Sequence, residues 1–226
     1  MARLRRTGPG RVNGWKSKRG GSLIAVVDYG VGNLRSVAKA FEHEDFEAMV
    51  TSDPAVIRDA AGVVLPGDGN FGAVMQNLRE TGLVDAALTA VKAGRPFLGI
   101  CVGYQMMLDS SEESPGVSGL GLIPGVARRF PRRAGLKVPH MGWNSLESLA
   151  DVRLLEEVHE GDMVYFVHSY YPSPVDPAGG AAWTDYGCVF PAVYCQQNLM
   201  ATQFHPEKSG KVGRGIIRAF GRICQC

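Results

Sequence analysis

Arg95-Pro96-Phe97-Leu98-Gly99-Ile100-Cys101-Val102-Gly103-Tyr104-Gln105-Met106-Met107-Leu108 decides the fold. Its first half is a short apolar run opened by proline, the composition of a buried strand, and its second half has helical character. Cys101 therefore stands at a strand-to-helix corner. Gly99 and Gly103 flank it at minus and plus two, the spacing of a nucleophile elbow, where a tight turn pushes the side chain out beyond the sheet edge. The corner also lies at a helix N-terminus, whose peptide dipoles favour a thiolate over a thiol. An isolated GxCxG is equally compatible with an inert, buried cysteine in a glycine-rich turn.

A second segment weighs against the inert reading. The apolar run over residues 199–204 leads into His205-Pro206-Glu207. In an extended segment residues i and i+2 face one side, so the imidazole and the carboxylate can converge. Histidine, with an unperturbed pKa of about 6.5, can take a thiol's proton and return it to a leaving group. Glu207 would then hold the ring's tautomer and stabilise the imidazolium. Both segments close strands, and in open α/β sheets ligands bind beyond the carboxyl ends of strands. A nucleophile, a base and an orienting carboxylate together point to cysteine-based acyl transfer.

Outward from these segments, residues 23–27 form an apolar strand, Asp28-Tyr29-Gly30 a turn and residues 33–42 an amphipathic helix. Strands follow over 47–51 and 61–65, with a short helix near 54–57 between them. Helices over 73–79 and 83–93, a strand over 96–100 and a helix over 104–108 continue the alternation, the pattern of a parallel sheet with crossover helices. After Asp109 the texture changes. Glycine crowds residues 116–125, and shorter strands over 125–130, 145–149, 163–167 and 182–186 point to a mixed or antiparallel half. A closing β pair over 189–196 and 199–204 and an amphipathic helix over 212–223 complete the chain. Its 226 residues, 45% hydrophobic, suit one large α/β domain over 22–226.

Net charge is +2, unevenly placed: residues 1–21 carry seven Lys/Arg and no acid, leaving the body at −5. The glycine and proline content of that basic head reads as a disordered extension rather than a nucleic-acid or membrane tail. No secretory apolar region follows it, and nothing approaches the roughly 20 apolar residues of a membrane span, so a cytoplasmic protein is expected. Five cysteines without a CxxC pair argue against a disulfide framework and against zinc. Gly30-Val31-Gly32-Asn33-Leu34-Arg35 lacks the third glycine of a dinucleotide fingerprint, because Arg35 stands there. His43, His140 and His159 show no ligand spacing with another histidine.

Gly99-Ile100-Cys101-Val102-Gly103-Tyr104-Gln105 and Gln203-Phe204-His205-Pro206-Glu207-Lys208-Ser209 resemble the motifs of the class I glutamine amidotransferase family. The stretches DYGVGNLRSV (28–37), KVPHMGWN (137–144) and YFVHSY (165–170) are similar to one subfamily, the glutaminase subunits of imidazole glycerol phosphate synthases. The likeness runs in order from Leu23 to Phe220. It implies an α/β fold with a central, mostly parallel twisted sheet, helices on both faces and a smaller mixed or antiparallel sheet. It implies glutamine hydrolysis by Cys101, His205 and Glu207, with no cofactor and no metal. Gly67, Gly69 and Val102 would bind the substrate's oxyanion side, and Gln105, His168, Ser169 and Tyr170 its amino-acid end. Asn33, Trp143 and Tyr165 would meet a (β/α)₈-barrel cyclase subunit in a heterodimer, with no nucleic acid or membrane partner; Trp143 alone reads equally well as a core aromatic. In the family the loop Leu65-Pro66-Gly67-Asp68-Gly69-Asn70-Phe71-Gly72 forms part of the oxyanion hole and often has an apolar residue where Asp68 stands. The expectation is that Asp68 turns away and caps the helix at Phe71. Three alternatives stay open: a glutaminase serving another synthase, a non-catalytic regulatory homologue, and a free peptidase or γ-glutamyl hydrolase.

Overall fold

The computed structural model describes residues 22–133 and 135–226; the extension expected over 1–21 lies outside the described residues. In chain order the elements are β1 (Ile24–Val27), α1 (Leu34–His43), β2 (Ala48–Thr51), α2 (Pro54–Asp59), β3 (Gly62–Gly67), α3 (Phe71–Glu80), α4 (Val84–Lys92), β4 (Phe97–Cys101) and α5 (Val102–Met107). There follow β5 (Leu108–Ser111), β6 (Ile123–Arg129), β7 (His140–Ser145), β8 (Met163–His168), β9 (Tyr170–Pro174), β10 (Gly180–Asp185), β11 (Val189–Gln196), β12 (Leu199–Thr202) and α6 (Gly210–Ile223).

The main sheet has the order β10-β11-β12-β4-β3-β1-β2. From β12 to β2 every neighbouring pair is parallel, and β10 and β11 join antiparallel at one edge. β1, β3 and β4 are buried at every position, as apolar strands covered on both faces must be. β6 carries the alternation of a half-buried strand at its start and pairs with β5 and β9 in a small mixed sheet, while β7 and β8 form a separate hairpin-like ribbon. The two carboxyl-end segments of the sequence reading meet because β12 lies directly beside β4, with Thr202 opposite Ile100. The fold thereby delivers Cys101 and His205 to the same sheet edge.

Most elements fall where periodicity places them. The strand expected over 145–149 does not form; the ribbon strand is β7, five residues earlier, and Ser148 turns the chain with a positive φ of 51°. Gly142 and Asn144 weaken the strand signal there, and only pairing with β8 supplies the missing hydrogen bonds. β9, whose Pro172 and Pro174 argue against a ladder position, is an edge strand pairing on one side with β6.

Candidate active site

Cys101 closes β4 and opens α5 with φ 55° and ψ −111°. A non-glycine residue held there costs on the order of 1–3 kcal/mol, so surrounding packing must enforce it. The enforcement is visible beneath the corner. A Cβ at Gly103 would run into the Leu65 carbonyl, and one at Gly67 into the Gly103 amide, so β3 and α5 touch backbone to backbone. The thiol that results is 2% exposed and lies 3.9 Å from the Val167 carbonyl and 3.7 Å from Gln203 Nε2.

His205 follows β12 in extended conformation, and Pro206–Lys208 then closes a 3-10 turn rather than continuing the strand. The i, i+2 pair still meets: His205 Nδ1 lies 2.8 Å from Glu207 Oε1, with both side chains buried. A carboxylate only accepts, so Nδ1 carries the hydrogen and Nε2 is the working nitrogen. The base is anchored by its backbone, its N–H donating to Tyr165 O at 3.1 Å while Ser209 Oγ donates to His205 O at 2.6 Å. Burial opposes a charge on the ring, but attraction from the Cys101 sulfur and the hydrogen-bonded Glu207 carboxylate outweighs it and raises the pKa to about 10. The resting base is therefore an imidazolium.

The cleft holding the thiol has a volume of about 240 Å³ and is lined by Asp68, Gly69, Val102, Gln105, Pro139 and residues 167–170 among others. Of the loop glycines, Gly69, with φ 100°, borders the cleft, whereas Gly67 lies behind it against α5. Tyr29, read from sequence only as part of a turn, is buried and donates its hydroxyl to Pro66 O at 2.5 Å, tying this loop to the β1 turn. Asp68 does not cap α3. Asn70 Oδ1 accepts from Ala73 N at 3.1 Å and Glu113 Oε2 accepts from Phe71 N at 2.7 Å, so the helix end is already satisfied. Asp68 turns the other way: Oδ2 accepts the Asn33 N–H at 3.2 Å and Oδ1 lies 3.6 Å from His205 Nε2.

At the other end of the cleft, Gln105 is 2% exposed and its Nε2 donates to Tyr170 O at 2.8 Å and Gln203 Oε1 at 3.0 Å. Both amide hydrogens are committed, leaving its carbonyl oxygen free to accept from an ammonium group. His168 Nδ1 also meets Tyr170 O, at 2.8 Å, and must donate to it. His168 Nε2 is then an acceptor, and its partner at 3.1 Å is His140 Nδ1. His140 Nε2 in turn faces Asn144 Nδ2 at 3.4 Å. The tautomers of both rings follow from one carbonyl, and both rings are neutral. Spacing along the chain conceals this histidine pair, because only the β7–β8 register places residue 140 opposite 168. Gln203, too, carries no separate sequence signal beyond its place two residues before the base.

A larger cavity of about 630 Å³ lies around Ala61, Pro96, Arg153 and Cys224, at the amino ends of β3 and β4. Its thiols Cys195 and Cys224 are pushed up to about 12 by burial, and among the described residues no histidine lines it. Among the described residues no group of histidine, cysteine, aspartate or glutamate side chains could hold a metal ion.

The family model for "Glutamine amidotransferase class-I" matches residues 25–222. The chain belongs to the class I glutamine amidotransferase family. It is similar over its length to proteins named imidazole glycerol phosphate synthase subunit HisH: 50% identical to that of Geobacter sulfurreducens, covering 88% of this chain and 98% of the relative. The Methanothermobacter thermautotrophicus protein of the same name is also 50% identical, over 89% of this chain and 98% of its own. Among solved structures, one titled a crystal structure of glutamine amidotransferase aligns with a TM-score of 0.68 over 90% of this chain and 99% of that one. It is 19% identical, a likeness of fold alone. As a class I amidotransferase the chain has the α/β architecture expected from its motifs.

One face of the ribbon in this amidotransferase is apolar and open. Trp143 is 54% exposed, Met141 62% and Met163 46%. Trp143 stands opposite Tyr165 across the β7–β8 register, their rings edge to face at 6.1 Å. Trp143 is therefore not a core aromatic. Asn33, at the start of α1, is exposed and meets the site through its backbone contact with Asp68.

Proposed function

We propose that the chain hydrolyses glutamine to glutamate and ammonia through a γ-glutamyl thioester on Cys101. In this reading the thiol proton already resides on His205 Nε2 in the resting pair, and the Cys101 thiolate attacks the side-chain carbonyl carbon. The C–N bond then breaks as Nε2 returns the proton to the departing nitrogen, and water, activated at the same nitrogen, releases glutamate. Glu207 holds the imidazolium. Backbone donors beside Gly69 and Val102 receive the oxyanion, the Gln105 carbonyl receives the substrate's ammonium group, and residues 168–170 meet its carboxylate. The observation that carries the reading is the buried His205–Glu207 pair delivered beside Cys101 at the carboxyl ends of adjacent parallel strands.

Ammonia is nucleophilic only when unprotonated, so its release into water at neutral pH would waste it. The names of the relatives support a cyclase partner. We propose that Asn33, Trp143 and Tyr165 contact a (β/α)₈-barrel cyclase subunit. The two chains together would make imidazole glycerol phosphate and aminoimidazole carboxamide ribotide in the cytoplasm, in histidine biosynthesis. Glutamate release from glutamine, measured with and without the cognate barrel and its nucleotide ligand, tests this, with Cys101→Ala as blank. Strong stimulation by the liganded barrel is expected; a rate indifferent to the barrel, or none in any mixture, would overturn the proposal.

A further inference from the structure

We infer that Asp68 is a positioning residue that restrains His205 in the free chain, its carboxylate competing for the Nε2–H that must reach Cys101 and the departing amide nitrogen. The inference deepens the proposed glutaminase reading and rests on it.

Three observations converge on this side chain. His205 Nε2 is buried without a hydrogen-bond partner, and Asp68 Oδ1 stands 3.6 Å from it. The other oxygen, Oδ2, accepts the Asn33 N–H, so the carboxylate is tethered at that distance rather than free to swing into solvent. Asp68 also lines both the cleft that holds Cys101 and a small crevice formed by Asn33, Gly67, His205 and Glu207. It therefore stands between the substrate side and the Asn33 side of the base.

The chemical consequence follows from what Nε2 must do. In thioester formation the Sγ–C bond forms, the C–N bond breaks and the Nε2 proton moves to nitrogen, leaving neutral ammonia and a neutral ring. A general acid works best when its pKa lies near the ambient pH. His205 already faces Glu207 at Nδ1 and the Cys101 sulfur, and His168, whose charge would oppose its own, is kept neutral by burial. Tyr29, packed near Asp68 and Cys101, is held in its neutral phenol form by burial. A second carboxylate on Nε2 over-stabilises the imidazolium, draws its proton off the reaction axis and sets negative charge beside the developing oxyanion. Asp68 is 40% exposed, so water moderates the effect without removing it.

The test compares wild type, Asp68→Asn and Asp68→Ala as intact chains, in glutamate release from neutral to alkaline pH. Asn keeps an oxygen for the Asn33 N–H and removes only the charge. Asp68→Asn should raise the free chain's kcat roughly three- to tenfold with little change in KM, and move the alkaline limb of the kcat/KM profile down by about one pH unit or less. Asp68→Ala should do the same and lower the thermal midpoint. An unshifted limb, or an unchanged or lower kcat in Asp68→Asn, would overturn the inference. The pH profile of Cys101 alkylation by iodoacetamide reads the same ion pair without glutamine. A chain silent toward glutamine even with the liganded barrel would sink the functional reading, and the alkylation profile would still decide the role of Asp68.

Discussion

Lowering the pH from 7 to 5 should destabilise this protein chiefly through the His140–His168 pair. Both rings are buried and their hydrogen bonds require neutral tautomers. Burial lowers His140 from 6.5 to about 4, and its ring lies stacked against Phe166 and Tyr186. His168 falls from 6.5 to about 3, mainly through burial and further through His140 and His205, against the opposing pull of the Tyr170 carbonyl. Both folded-state values lie below the unfolded one, so between about pH 6.5 and 4 the unfolded chain binds the extra protons and stability falls with pH. Each ring excluded from protonation contributes about 1.4 kcal/mol per pH unit in that window. The pair should therefore lose about 4 kcal/mol between pH 7 and 5, a large part of a typical stability of roughly 5–15 kcal/mol. His205 acts in the opposite sense: raised to about 10, its contribution is complete below 6.5 and is lost only as pH rises through about 10. Urea unfolding at several pH values, for wild type and His140→Gln, isolates the pair, since Gln can still donate to His168 Nε2 and accept from Asn144. The loss from pH 7 to 5 should be smaller in the variant by about 2 kcal/mol. Parallel curves for the two proteins would refute the neutral-pair reasoning.

Glu207→Gln keeps the shape but removes the charge that holds the imidazolium, so kcat in the presence of the barrel should fall by about 10²-fold or more with KM little changed. A KM effect with kcat intact would contradict the orienting role. Gly103→Ala drives a methyl into the Leu65 carbonyl; we expect a loss of several kcal/mol, read as a drop of roughly 5 °C or more in the thermal midpoint. Trp143→Ala removes an exposed ring, so the thermal midpoint of the free chain should stay put while affinity for the barrel, by titration calorimetry, weakens about tenfold or more. An unaltered affinity would place the interface elsewhere.

Local chemistry made a good part of the site legible. Glycines at 99 and 103 around Cys101 announce a turn that only a residue forced to positive φ can make, and the structure has that turn. His205 and Glu207, two residues apart, need no long-range contact to find each other. A carboxylate near a helix start reads as a cap, but Asn70 and Glu113 already satisfy the helix and leave Asp68 to its neighbours. His140 and Gln203 escaped for the same reason, since their partners are 28 and 98 residues away.

By itself the sequence determined the alternation of strand and helix, the strained nucleophile corner and the base with its orienting acid, because each depends on residue type at short spacing. Tertiary structure alone decided which strands lie side by side, and hence that the base reaches the thiol. It alone also decided that His140 locks His168 and that Asp68 faces the catalytic ring. Backbone propensity acts over a few residues, but the direction of a buried polar side chain is settled by whichever donor or acceptor the packed fold leaves unsatisfied nearby.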